Sequence, residues 1–244
     1  MIEVEHLGKS FGPVNAVRNV SFKARNGAVT GLLGSNGAGK TTTLRIIAGA
    51  LKPQRGQVRI DNLPVCNDSM EAQQRLGALL DHTGLYGRLT AHENLAYFGR
   101  LRGIPPSQLK QRVAEVLSRL RLESIADRRT GAFSQGERMK VALGRAIIHG
   151  PGNLLLDEPT NGLDVPSIRS LRVLLKRMRD DGVCVIFSSH VLEEVRELCD
   201  EVVVISNGSL AAQGTPEQLC YQTGTETLEQ AFMKLIAPEE ALRC

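Results

Sequence analysis

Apolar and polar residues alternate at the start of the chain. Ile2 and Val4 form one such set and Val20, Phe22 and Ala24 another, with Gly12-Pro13 between, as in two half-buried strands joined by a turn. Ala28–Leu33 changes the rhythm to a short apolar run that stops at Gly34, as a parallel strand covered on both faces would. Thr41–Leu51 then has a helical period and is expected to end near Pro53. From Thr90 to Gly150 strand signals give way to helix signals. Thr90 and Glu93 have capping-box spacing, and Ser107 is expected to cap a helix carrying Leu109, Val113, Val116, Leu117 and Leu120 on one face. Strands and helices then alternate again: Leu154–Leu156 as strand, Pro166–Arg179 as helix, Val183–Phe187 and Val202–Ile205 as strands, and Asn207-Gly208 as a hairpin turn. Thr215-Pro216 opens a last helical region. Within it, Leu228, Ala231, Phe232 and Leu235 of Thr225–Ile236 share one face, expected to pack on its own domain.

This order predicts an α/β fold with a parallel sheet flanked by helices, an antiparallel part near the N-terminus and a helical insertion. The expected core is 1–83 with 151–214, the insertion is 84–150, and 215–244 is a C-terminal helical extension.

Composition narrows the class without changing that picture. The 244 residues are 42% hydrophobic and 23% charged, ordinary for a soluble globular protein. Five cysteines, scattered and without a CxxC pair, favour a reducing cytosol over a disulfide framework or zinc site. MIEVEHLGKSF lacks the layout of a signal peptide, and no uncharged apolar run is long enough to cross a bilayer. Any membrane role is therefore expected to come from a partner. The net charge is +4, and the basic stretch Arg169–Arg179 alternates with Leu171, Leu174, Leu175 and Met178 at helical spacing. It reads as a solvated helix face, and no nucleic-acid partner is expected.

The chemistry is concentrated in three places. Gly34, Ser35, Asn36, Gly37, Ala38, Gly39, Lys40 and Thr41 fit GxxxxGK[ST] between a strand and a helix. In such a loop, backbone N–H groups curl inward onto phosphate oxygens, Lys40 reaches the β- and γ-phosphates, and the Thr41 hydroxyl is suited to Mg²⁺. Thr42 is placed to add contacts on the α-phosphate side. Asn153–Glu158 is an apolar strand delivering Asp157, expected at the metal, and Glu158, expected to orient or deprotonate the attacking water from the opposite side by strand alternation. His190 ends another buried strand and is expected to sense the γ-phosphate.

Phe133-Ser134-Gln135-Gly136-Glu137 resembles the LSGGQ signature of ABC ATPases, and the likeness extends from about residue 2 to about residue 220. The resemblance implies a P-loop ABC-type nucleotide-binding domain over 1–220, with an antiparallel β subdomain and a helical subdomain. It implies ATP and Mg²⁺ as cofactors, Phe11 stacked on adenine, a D-loop at Asn161–Asp164 and a switch role for His190. Ser134 reads as a helix cap with Glu137 in the reciprocal position. In the family that helix start meets the γ-phosphate held by the other subunit, so Ser134, Gln135, Gly136, Glu137 and Asp164 are expected to face a partner's ATP in a homodimer or pseudo-dimer. Two departures stand out. Gln135 and Glu137 replace one glycine and the final glutamine of the signature, while Ser134 and Gly136 remain, and Asp81 stands where the Q-loop glutamine is usual, an acceptor in place of an amide donor. The stretches 81–99 and 133–164 are similar to NatA-type subunits of bacterial sodium-extruding ABC exporters. The expected role is thus the ATPase of an exporter, peripheral on the inner face of the cell membrane and driving separate permease subunits. Three alternatives stay open: an exporter ATPase for a drug, lipid or polysaccharide, a soluble ABC ATPase acting on ribosomes or DNA, and a non-hydrolysing regulatory subunit.

Overall fold

β1 (Ile2–Phe11) and β2 (Val14–Ala24) pair antiparallel across Gly12-Pro13, with Ile2 opposite Ala24 and Val4 opposite Phe22. The computed structural model describes residues 1–66, 70–80 and 84–240. β3 (Ala28–Leu33) is buried along its whole length and leads through residues 34–39 into α1 (Lys40–Ile47). Here the chain departs from expectation, because α1 ends at Ile47 and Pro53 plays no part. Gly49 adopts φ +71°, its N–H donates to the Ile46 carbonyl, and the Ala50 N–H reaches back to the Arg45 carbonyl. That is a Schellman closure, for which a glycine past the cap is the usual solution.

β4 (Arg55–Ile60), β5 (Leu63–Pro64), α2 (Met70–Gln74) and β6 (Leu76–Leu79) come next. The helical stretch then holds α3 (Ala91–Leu101), α4 (Pro106–Arg119) and α5 (Gln135–Ile147). Thr90 and Glu93 form the expected capping box. Ser107 does not cap α4. Pro105 occupies that position without a side-chain cap bond, and Ser107 lies inside the first turn. A proline disfavours helical backbone in the residue before it and itself suits the first helical position, so Pro105-Pro106 sets the boundary.

The second half alternates: β7 (Asn153–Asp157), α6 (Val165–Asp180), β8 (Cys184–Ser189), α7 (Leu192–Leu198), β9 (Glu201–Ser206) and β10 (Ser209–Gly214). α8 (Pro216–Thr223) and α9 (Leu228–Glu240) end the described chain. Leu228 and Ala231 of α9 are buried in the protein's own core, with Phe232 and Leu235 packed against it.

The strands form one sheet in the order β5-β4-β1-β2-β10-β9-β3-β8-β7-β6. β9, β3, β8, β7 and β6 are parallel, while β5, β4, β1 and β2 are antiparallel. Strand alternation divides the core into two layers. Val29 and Leu33 of β3, Leu154 and Leu156 of β7, and Val185 and Phe187 of β8 face the side covered by α5 and α6. Leu32, Leu155 and Ile186 face α1 through Leu44, Ile46 and Ile47. The fold is thus the predicted one, a mixed sheet with helices on both faces. Cys184 and Cys199 serve as small apolar core residues. Burial pushes the Cys184 thiol up to about 11 and shifts Cys199 in the same direction, away from reactive thiolate.

Candidate functional site

The register of three neighbouring strands assembles the site. Leu33 of β3 pairs with Ser189 of β8, and Ser188 of β8 pairs with Asp157 of β7. Their carboxyl ends are therefore level, so residues 34–39, His190 and Glu158, each just past one of these strands, meet at one edge. Ligands of open parallel sheets bind at this edge.

After β3 the chain must curl tightly between neighbours. A Cβ on Gly34 would lie 2.5 Å from the Ile205 carbonyl oxygen, and one on Gly39 would lie 2.4 Å from that of Ala16. Gly39 also has φ +105°, so no other residue fits without moving the β1–β2 hairpin or unwinding the loop. Ser35, Asn36 and Gly37 form an exposed rim, whereas Gly34, Ala38 and Lys40 are buried. Thr41 and Thr42 are half-buried on the first turn of α1. Lys40 Nζ donates to the carbonyls of Gly34 at 2.7 Å and Ser35 at 3.2 Å, and lies 3.8 Å from Glu158 Oε1. Burial pushes its pKa down, against the opposing pull of the Glu158 and Asp157 carboxylates. A desolvated ammonium held by two carbonyls at a helix start offers strong attraction to a polyanion.

Asp157 is buried and accepts a 2.6 Å hydrogen bond from Ser188 Oγ, which in turn accepts the Glu158 N–H at 2.9 Å. Glu158 itself does not follow strand alternation. Its φ of +44° turns the chain out of β7, a conformation that costs a side-chain-bearing residue about 1 kcal/mol or more. Its direction comes from that turn and from its partners. Asn161 Nδ2 donates to Oε2 at 2.9 Å, and His190 Nδ1 lies 3.2 Å from the same oxygen. Glu158 thus touches both Lys40 and His190, although 150 residues separate those two along the sequence.

The remaining predicted residues fall in two groups. Ser134 caps α5, accepting the Glu137 N–H at 3.2 Å while the Glu137 carboxylate accepts the Ser134 N–H at 2.7 Å. That second bond, foremost, holds the Glu137 carboxyl below the usual range. Asp164 caps α6 by accepting the Ser167 N–H, and hydrogen bonding from the Ser167 hydroxyl, then from that N–H, lowers its carboxyl. The two helix starts touch, since a Cβ on Gly136 would lie 2.5 Å from Ser167 Oγ. Gln135 Nε2 donates to the Asn161 carbonyl at 3.0 Å, so the departure from the signature links α5 to the loop that holds Glu158. Among the described residues, no hydrogen bond or ion pair joins 134–137 to 34–42 of the same chain. Phe11 closes β1, is 49% exposed, and has Lys9 Nζ 5.5 Å from its ring centroid. Asp81 lies outside the described residues.

Sequence reasoning passes over Glu194. It is 6% exposed, and its Oε2 accepts hydrogen bonds from Thr160 Oγ1 at 2.8 Å and Ser189 Oγ at 2.9 Å. Ser189 Oγ also accepts the Val191 N–H at 2.9 Å, so one carboxylate braces the segments after Glu158 and around His190. A buried carboxylate with two hydroxyl donors costs less than an unpaired one but leaves two donors stranded if removed. Glu194→Ala is expected to destabilise the protein by about 2–4 kcal/mol. Glu194→Gln should fold and lower turnover more than it raises KM for ATP. Unchanged turnover in the glutamine variant would limit Glu194 to a structural role. An acid four residues past a strand-end histidine is the available signal, but α7 itself has no strong sequence code.

The profile of the ABC transporter family matches residues 17–161. The chain is 43% identical over 221 residues to the ABC transporter ATP-binding protein NatA of Bacillus subtilis, covering 90% of each protein. It is 35% identical over 230 residues to the linearmycin resistance ATP-binding protein LnrL of the same organism, covering 94% of this chain and 74% of that one. Among solved structures, the ATP-binding subunit of an ABC transporter superposes with a TM-score of 0.88 at 27% identity, covering 96% of this chain and 99% of that one. An ATP-binding cassette in a dimeric post-hydrolysis state bound to ADP and Pi superposes with a TM-score of 0.78 at 26% identity, covering 88% and 98%. The chain belongs to the ABC transporter family, as an ATP-binding and ATP-hydrolysing subunit.

Proposed function

We propose that two copies of this chain close on two ATP molecules and drive separate membrane-spanning permease subunits of a bacterial exporter. One observation carries the dimer: Ser134 and Asp164 cap adjacent helices whose starts, among the described residues, make no bond to the chain's own residues 34–42. The signature and the phosphate loop therefore need a second copy to meet, and a two-fold axis supplies both encounters at once. The dimeric state of a solved relative supports this arrangement.

In this reading residues 34–42 hold the triphosphate, Lys40 neutralises the β- and γ-phosphates, and Phe11 stacks on adenine. The Glu158 carboxylate takes the proton of the attacking water, steadied by Asn161 and with His190 at its Oε2. The Thr41 hydroxyl and the Asp157 carboxylate are an all-oxygen donor set, suited to a hard cation such as Mg²⁺, which would supply charge neutralisation on the phosphates. The partner copy's 134–137 and Asp164 complete each site.

A permease is the fitting membrane partner because no helix among the described residues is long and apolar enough to cross a membrane. The helical part 84–150, proposed as a subdomain distinct from the 1–83 and 151–214 core, offers a docking surface. Tyr86, Tyr97 and Leu101 are exposed there, with Tyr86 and Tyr97 edge-to-face at 5.2 Å between ring centroids. Aromatic surfaces of this kind are enriched where proteins dock. The placement on the inner face of the membrane follows from that partner. Na⁺ is the proposed cargo, on the resemblance of 81–99 and 133–164 to NatA-type subunits; the cargo contacts themselves belong to the permease. Purification of the chain from native membranes in gentle detergent is expected to recover a stoichiometric multi-span protein. Recovery with ribosomes or DNA-repair proteins and no such partner would contradict the transporter reading.

A further inference from the structure

A second concave site opens on the face of the sheet opposite α1, where the end of α4 and the flanks of α5 and α6 leave a cleft of about 210 Å³. Its floor is apolar, made by Met139, Leu143, Leu171 and Leu174, all buried, with Val173 exposed at the lip. Its walls carry five cations, Arg119, Arg121, Lys140, Arg169 and Arg177, and no carboxylate. Asp181 engages Arg119, while the other four form no ion pair among the described residues. One cleft thus gathers five of the chain's 30 lysines and arginines.

The cleft's position on α6 gives its reach. Ser167 and Arg177 both line it, ten residues apart on one helix, a span of about 15 Å. Arg169, Val173 and Arg177 recur every four residues and so form one edge. Cations around an apolar trough raise the local concentration of anions and hold a charged head at the rim, while the floor gains by covering a hydrocarbon tail. A purely polar anion would leave the leucine floor wet, and a neutral lipid would leave the arginines unanswered.

We propose that this cleft binds a single-chain anionic amphiphile, with its carboxylate or phosphate head on Arg169 and Arg177 and its tail along Met139, Leu143 and Leu174. Such an occupant bridges α5 and α6, the two helices capped by Ser134 and Asp164. Lys140, on the cleft wall, adds a lesser attraction to the Glu137 and Asp164 carboxyls, which are lowered chiefly by their hydrogen bonds from Ser134 and Ser167. Arg169, Arg177, Met139, Leu143 and Leu174 are assigned no part in nucleotide chemistry, although Gly136 of the signature and Leu163 of the D-loop stretch also line the cleft; its occupancy stands or falls independently of the transport reading.

Calorimetric titration of the full chain with dodecanoate, below its micelle concentration, tests the site. Dodecyl phosphate, dodecyltrimethylammonium, inorganic phosphate and a polyglutamate peptide are titrated in parallel. Saturable binding of dodecanoate and dodecyl phosphate at one per chain is expected, with none for the cationic amphiphile. The double variant Arg169→Gln/Arg177→Gln should weaken it roughly tenfold and leave ATP hydrolysis unchanged. Three results would overturn the proposal: no dodecanoate binding, equal binding of the cationic analogue, or undiminished affinity in the double variant. Binding of inorganic phosphate as strong as dodecanoate would assign the cleft to simple anions, and binding of polyglutamate alone would assign it to an acidic protein segment. Either outcome would also overturn it.

Discussion

Glu158→Gln is expected to lower ATP turnover about 10²–10⁴-fold, the usual worth of a positioned general base, while ATP still binds. The amide keeps the size of the carboxylate and can still accept from Asn161, which donates to Oε2 at 2.9 Å in the parent. It cannot accept the proton of water. The same change removes a negative charge 3.8 Å from Lys40 Nζ, which frees that ammonium for the triphosphate. Turnover and affinity should therefore separate, measured as phosphate release at saturating ATP and as equilibrium nucleotide binding. Turnover within a few-fold of the parent would remove Glu158 from the role of base. A parallel fall in affinity would mean that it acts in binding.

Lys40→Ala should have the opposite signature. Lys40 is the buried cation of the loop, 5% exposed, and its ammonium is already stripped of water by the carbonyls of Gly34 and Ser35. Truncating one partner of a buried, hydrogen-bonded charge pair costs about 2–5 kcal/mol, so ATP affinity should fall roughly a hundredfold or more. Lys40→Met, which keeps the apolar stem and loses the charge, should lose nearly as much. It thereby separates electrostatics from collapse of the loop. ATP affinity unchanged in both variants would show that residues 34–41 do not hold the triphosphate.

The contrast between what the sequence reveals and what it hides has a physical pattern. Strong local codes are legible: the apolar run Ala28–Leu33 ending at Gly34, the capping boxes at Thr90 and Ser134, and the acidic end of Asn153–Asp157. Each is written in neighbouring residues. β4 and β6 are not legible, because RGQVRI holds only two apolar residues and LGAL is too short to show a period. At Ser107 and the end of α1 the structure departs from expectation because a stronger neighbour decides the outcome, Pro106 in one case and Gly49 in the other.

The candidate site shows the same division. The phosphate loop can be read because its glycines answer backbone constraints a few residues away. The convergence of Glu158 and His190 near Lys40 depends on the pairing of β3, β8 and β7, which no local pattern encodes. Strand alternation predicts Glu158 facing away from Asp157, whereas its φ of +44° and its contacts with Asn161 and His190 set its direction. Glu194 escapes the sequence for a similar reason. Its two hydroxyl partners come from segments 34 and 5 residues away and meet only in the folded chain.

In the proposed dimer the working site is shared between two copies, each supplying a phosphate loop to one ATP and a signature to the other. The most direct measurement is the mass in solution of Glu158→Gln, by light scattering on a sizing column, with and without Mg-ATP, with bound nucleotide counted in the peak. One chain's mass is expected without nucleotide, with twice that mass and two ATP per dimer in Mg-ATP, and loss of the dimer when Ser134→Arg is added. A single-chain mass at saturating ATP, or a dimer that forms equally well without nucleotide and in the Ser134→Arg variant, would contradict the shared site.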